Sequence, residues 1–180
     1  MQTGLIVALV LIGLVVLWYI WTMNRFAQLV VKIEESDSGI DVALTQRYDT
    51  LTKMLDVTKA YAAHEVATLS KVVELRQGMS MAERSEANRQ MDAVEGRINI
   101  LAEAYPELRS SDNFRELQTT ITEVEDNLQA ARRIYNMNVS TYNQMLVTWP
   151  DSIVGRRHNH QARDFFEADE KKKQDVEMKF

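Results

Sequence analysis

Apolar side chains follow two regimes along this chain. Residues 4–23 read GLIVALVLIGLVVLWYIWTM, with no charged side chain and apolar groups on every side. A helix of about 20 such residues spans roughly 30 Å of hydrocarbon. Beyond it, apolar positions recur with the helical period. Ile40, Leu44, Tyr48, Leu51 and Leu55 step by four, four, three and four, and Ala62, Val66, Leu69 and Val73 continue the stripe. This predicts one long helix over residues 26–77. Ser36-Asp37-Ser38-Gly39 is its weak point: a kink, a break with a fresh cap, or an unbroken turn. If unbroken, the apolar span and the first helix beyond it are one rod.

Gly78 is a candidate stop. Ser80-Met81-Ala82-Glu83 then fits a capping box, in which Ser80 accepts from the Glu83 amide and Glu83 reaches back. Met91, Val94, Ile98, Leu101 and Tyr105 form the stripe of a second helix, ended by Pro106. Ser110, Ser111 and Asp112 offer caps for a third. It carries Phe114, Leu117, Ile121, Val124, Leu128, Ala131, Tyr135, Asn138 and Tyr142, and closes at Trp149-Pro150. Heptad-like stripes of this kind suit shallow-angle, near-antiparallel packing. The charged positions Glu83, Arg84, Glu86, Arg89, Glu123, Glu125, Arg132 and Arg133 read as solvated faces. Residues 151–161 read as a polar loop and 162–173 as a short terminal helix. The charged end frays unless a partner orders it. No stretch alternates as a half-buried strand. The expected fold is therefore all-α: an N-terminal transmembrane helix continuous with the first of three long helices in an antiparallel bundle, plus a short C-terminal helix. The expected divisions are an anchor at 1–25, the bundle at 26–150, and a loop, short helix and tail at 151–180.

A cleaved leader is the competing reading of residues 4–23. It calls for a basic start, an apolar core of about 7–15 residues and small residues at its exit. Here no Lys or Arg precedes the core, the core is longer, and its exit is the bulky WYIWTMNRF. An uncleaved anchor fits better. Trp18, Tyr19 and Trp21 sit where an aromatic belt is expected, and Arg25 is placed to snorkel. The flanking cations, Arg25 and Lys32, favour a cytoplasmic bundle by the positive-inside rule, with a periplasmic one left open.

The chain has no cysteine, which removes disulfides, cysteine-bound zinc, iron–sulfur clusters and thiol nucleophiles. A net charge of -5 gives no electrostatic reason to bind nucleic acid. His64-Glu65 starts like a zincin motif, but Thr68 stands where the second imidazole is required. His158 and His160 need ligands from another chain to hold a metal, so a polar loop is the simpler reading. Arg156, Arg157, Lys171, Lys172 and Lys173 suit anionic lipid heads. Asp164, Glu167, Asp169 and Glu170 interleave with them, so a solvated segment is the default. Tyr48, Tyr105, Tyr135 and Tyr142 lie on the apolar stripes, where a buried phenol needs a hydroxyl partner. Arg132, Asn136 and Asn143 are polar candidates for it, and Asn138 is placed to set helix register. No phosphate loop or catalytic triad spacing is present. No catalytic, cofactor-binding or metal-ligating residue is assigned, and no cofactor is expected.

Several short motifs, in order, resemble the LemA family. They are Ile40-Asp41-Val42, Arg47-Tyr48-Asp49, Lys59 through Glu65 (KAYAAHE), Glu103 through Leu108 (EAYPEL), Asn113-Phe114, Leu117-Gln118, Ala131 through Asn136 (ARRIYN), Tyr142-Asn143, Phe165-Phe166 and the Val176 to Phe180 end. The resemblance runs over nearly the whole chain. Where many relatives carry Pro and Asn after Arg-Tyr-Asp, this chain has Thr52 and Lys53, which permit a smoother helix. Trp149-Pro150 replaces a common Phe-Pro. The resemblance implies a single-pass protein of the bacterial inner membrane with a long-helix bundle and no assigned catalytic residues. A relative that helps build magnetosome membranes implies membrane shaping.

Together these features suggest a non-enzymatic, membrane-anchored bundle that acts as a self-assembling scaffold or membrane-organising protein. Its expected partners are the lipid bilayer, further copies of itself through span and bundle helices, and other membrane proteins. The competing expectation is a signalling, sensor or adaptor bundle that binds a ligand or membrane protein between its helices.

Overall fold

The computed structural model describes residues 2–62 and 78–166. They form five helices and, among the described residues, no strand. These are α1 (Gln2–Lys59), α2 (Met81–Ala104), α3 (Pro106–Ser110), α4 (Asp112–Val147) and α5 (Asp151–Arg157). The chain divides into two compact units. One comprises Met1–Asp37 and Ile134–Asp164; the other comprises Ser38–Arg133 and Phe165–Phe180.

α1 passes through Ser36-Gly39 without a break. The Ser36 hydroxyl bonds back to the carbonyls of Lys32 and Ile33, so the polar side chain spends its hydrogen bond inside the helix instead of starting a new cap. Thr52 and Lys53 are equally smooth. The end of α1 corrects the sequence expectation. The helix closes at Lys59, with Tyr61 N donating to Thr58 O, whereas the apolar period continues to residue 73. A periodic stripe marks a face that wants burial, but it does not mark where the backbone turns. Residues 63–77, and His64 with them, lie outside the described residues.

The other ends obey their local chemistry. Ser80 and Glu83 form the reciprocal capping box, and Ser111 Oγ accepts from Phe114 N to start α4. Gly78 has φ 80°, the left-handed conformation that glycine adopts at little cost. Pro106 ends α2 and occupies the first turn of α3, where its missing N–H is not needed.

In the first unit, α1 and α4 are antiparallel: Ser36 meets Asn138, and Phe26 meets Tyr142. In the second, Leu51 and Met54 of α1, Met91, Val94 and Ile98 of α2, Leu108 of α3, and Phe114 and Ile121 of α4 share one buried core. There Asp41 pairs with Arg84 and Arg47 with Asn88, so α2 runs in the same sense as α1.

Two C-terminal expectations are corrected. Residues 151–157 are helical, not loop. Asp151 opens α5 and Arg156 and Arg157 close it, which matches the helix dipole at both ends, and Val154 is buried. Residues 162–166 carry no helix; 167–173 lie outside the described residues. The backbone near 163 is taken by side chains instead. Asn143 accepts from Arg163 N and donates to Arg163 O, while the Tyr135 hydroxyl donates to Asp164 O.

Candidate functional site

Two clusters bring polar side chains together, one in each unit. The first lies where the apolar span ends. The helical period turns Tyr19, Thr22, Arg25 and Phe26 of α1 toward the segment 142–160. The Tyr19 hydroxyl lies 2.7 Å from His158 Nε2. Thr22 Oγ1 donates to Asp151 Oδ1 at 3.4 Å, and the Arg25 guanidinium reaches Asp151 Oδ2 at 3.6 Å while lying over the Trp21 ring. Phe26 is fully buried. It stacks on His160 at 4.7 Å and meets Tyr142 edge-on at 5.8 Å. The Tyr142 hydroxyl sits 3.0 Å from His160 Nδ1.

Burial lowers the His160 pKa, helped by nearby His158 and Arg163, and burial raises that of Tyr142. The two rings share this one hydrogen bond, and the tautomer of the imidazole sets which of them donates. Gly155 allows this packing: a Cβ there would meet Leu146 Cδ2 at 3.0 Å and Phe26 Cζ at 3.3 Å. A cleft of about 500 Å³ opens beside this clamp of Tyr19, Phe26 and Tyr142 on His158 and His160, lined by Tyr142 and residues 159–164.

The second cluster centres on Arg47, only 2% exposed. One terminal nitrogen reaches Asp92 at 2.6 Å, Glu95 at 2.9 Å and Glu125 at 2.6 Å. The other donates to Asn88 Oδ1 at 2.6 Å. Its Nε has no acceptor among the described residues. Burial opposes the Arg47 charge, but Asp92, Glu95 and Glu125 outweigh it and hold the pKa above its usual value. Burial, and then the hydrogen bond with Glu125, push Glu95 up to about 7. Chemically the cluster is one cation locking three helices through carboxylates, one of which, Glu95, holds its proton more tightly than usual. Among the described residues, no group of acidic or histidine side chains has the arrangement of a metal site.

The residues that the sequence singles out fare unevenly. Tyr135 and Tyr142 are buried and partnered, Tyr105 is half-buried, and Tyr48 is 37% exposed. Arg47, one residue earlier, takes the inward position between Leu44 and Leu51. Asn138 donates to Lys32 O and Ser36 Oγ, so it ties α4 to α1 at one register. His158 and His160, expected in a plain polar loop, belong to the clamp. Glu125 and Arg132 are not simply solvated. Glu125 binds Arg47, and Arg132 lies 4.7 Å from the Phe166 ring centroid. The Arg47 cluster is absent from the sequence expectations. Its signal is nonetheless there: Asn88, Asp92 and Glu95 step by four and three along one face of α2, and Arg47 interrupts an apolar stripe.

Residues 36–180 match the family model described as the LemA family. Protein LemA of Metamycoplasma hominis is 28% identical over 171 residues, which covers 92% of this chain and 78% of that protein. Magnetosome protein MamQ 2 of Paramagnetospirillum magneticum is 36% identical over 72 residues, or 40% of this chain and 26% of its own length. Magnetosome protein MamQ of Magnetospirillum gryphiswaldense is 31% identical over 55 residues, which covers 31% of this chain and 20% of its own length.

Proposed function

We propose that this chain, which belongs to the LemA family, is a membrane-anchored helical scaffold that works without an enzymatic step, by lateral assembly of its copies. One observation carries the reading. The apolar stretch of α1 is exposed on every side, while Thr22, Phe26, Leu29 and Ile33 of the same unbroken helix are buried against their own chain. The greasy half thus has no partner among the described residues, and lipid or another span has to cover it. Confinement to a bilayer raises the effective concentration for such contacts. Because the helix does not break between the two halves, association in the membrane is transmitted to the packing beyond it. Gly4 and Gly13 are open: a Cβ added at either would have nothing within 4 Å, which leaves room for close helix approach. The magnetosome proteins among the relatives fit a part in organising a cellular structure.

The test is the stoichiometry of full-length chain in lipid vesicles, counted by single-molecule photobleaching as the protein-to-lipid ratio rises. Oligomers that grow in with that ratio are expected. Monomers at every workable ratio would refute the scaffold.

A second reading, a sensor or adaptor that binds a small ligand, draws on the cleft beside Tyr142 and His160. It requires a saturable thermal shift with some ligand, lost on Tyr142→Ala. A melting temperature that no compound moves removes it.

A further inference from the structure

A second exposed apolar surface lies beside the end of the apolar span. α4 runs antiparallel to α1, so its C-terminal end points back toward the span, and the α4–α5 corner is the membrane-proximal tip of the first unit. Contacts fix its level. Asp151 faces Thr22 and Arg25, and His158 faces Tyr19. Tyr19 lies about 4.5 Å further along the helix axis than Thr22. α5 is therefore alongside the aromatic belt of Trp18, Tyr19 and Trp21. At this level three large apolar side chains are uncovered: Val147 is 81% exposed, Trp149 77% and Ile153 48%. One exposed apolar residue is ordinary, but a tryptophan flanked by two aliphatics at headgroup depth is not. The exposed Arg156 and Arg157 follow on α5, while the charge of Asp151 is already paired with Arg25.

We propose that this corner seats in the bilayer interface. Trp149, Val147 and Ile153 enter the boundary between headgroups and acyl chains, and Arg156 and Arg157 meet the phosphates of anionic lipids. The indole suits this depth, since its ring is apolar and its N–H still finds an acceptor. The inference rests on the reading of residues 4–23 as a membrane span. It adds that the first unit meets the bilayer surface at a second point beside the span.

The chain has three tryptophans, which makes the test direct. The W18F/W21F variant leaves Trp149 as the sole indole. The W149F variant leaves Trp18 and Trp21 as reporters of the span. Both are reconstituted full-length in phosphatidylcholine vesicles, with and without phosphatidylglycerol. Lipids brominated high or low on the acyl chain then serve as quenchers. For Trp149 we expect blue-shifted emission, at least about twofold stronger quenching by shallow than by deep bromines, and weak quenching by acrylamide, as for an interfacial indole. Phosphatidylglycerol should deepen the lipid quenching, and R156Q/R157Q should remove that increment. Water-like emission open to acrylamide overturns the proposal. So does blue-shifted emission that no lipid bromine quenches, since a second copy of the chain would then cover the corner. If Trp18 and Trp21 are also unquenched by lipid, the span reading has failed. If they are quenched while Trp149 is not, only the corner proposal has.

Discussion

Arg47 concentrates the electrostatics of its unit in a single side chain. Removing it leaves Asp92, Glu95 and Glu125 facing one another without the cation that bonds all three, in a partly desolvated site. Arg47→Met should therefore lower stability by about 3–5 kcal/mol, read from thermal unfolding in detergent, and by more at high pH than at low. A loss under about 1 kcal/mol would mean that solvent screens the cluster as it does surface pairs. Glu95, in the same cluster, makes a second case. Burial and its bond to Glu125 raise its folded pKa from 4.5 to about 7, so the folded state binds more protons than the unfolded state between those values. Its contribution is fully present below about pH 4.5 and is lost as pH rises toward 7. Glu95→Gln keeps the proton's role at every pH. It should raise stability near pH 8 by about 1–2 kcal/mol, a figure discounted for the water that reaches these carboxylates, and leave it nearly unchanged near pH 5. His160 acts in the opposite direction, because burial lowers its pKa and protonation on acidification opposes folding. A variant such as Glu95→Gln is thus needed to separate the two slopes. A stability profile of Glu95→Gln parallel to that of the unaltered chain from about pH 5 to pH 8 would contradict the assignment.

At the scale of elements, the decisive feature is a helix of 58 residues that continues through a sequence rich in breaking signals. Gly39 lies inside it, and a Cβ added there would touch nothing within 4 Å. Gly39→Ala should accordingly stabilise by about 0.5–1 kcal/mol, through lost freedom of the unfolded chain and better helix propensity. A decrease in melting temperature would show that the helix opens or bends at that residue. Capping residues and the stop at Pro106 were legible in the sequence because caps depend on three or four neighbouring residues. The close of α1 and the helicity of 151–157 were not. The first depends on where the chain must turn to pack. The second depends on Val154 being buried and on Gly155 finding Leu146 and Phe26, residues on other helices.

For the whole molecule, the span makes orientation a physical question that charge can bias. Arg25 and Lys32 flank the span at its C-terminal end, a bias toward a cytoplasmic bundle that the following measurement tests. The absence of native cysteine gives a clean measurement. Single cysteines at Gln2 and at Asp49 should differ in reaction with a membrane-impermeant maleimide on intact cells, Gln2 labelled and Asp49 protected. The reverse pattern would place the bundle outside. If copies associate as proposed, the melting temperature in lipid should rise with the protein-to-lipid ratio, because binding between folded chains favours the folded state by mass action.

Much of this protein is written in local pattern. An uncharged run of hydrocarbon length, stripes at a period of three and four, and caps at their ends determine an all-α chain with a greasy N-terminal helix. Those properties need only backbone hydrogen bonding and one-sided burial, both readable from neighbours in sequence. Tertiary structure decided which partners the inward-facing polar residues meet. Arg47 is buried because carboxylates on α2 and α4 converge on it, and His160 has its pKa lowered because it packs beside Phe26 and Tyr142, out of water. A charge is tolerated in a core only when its partners arrive from elsewhere in the chain, and a single-residue pattern carries no record of who arrives.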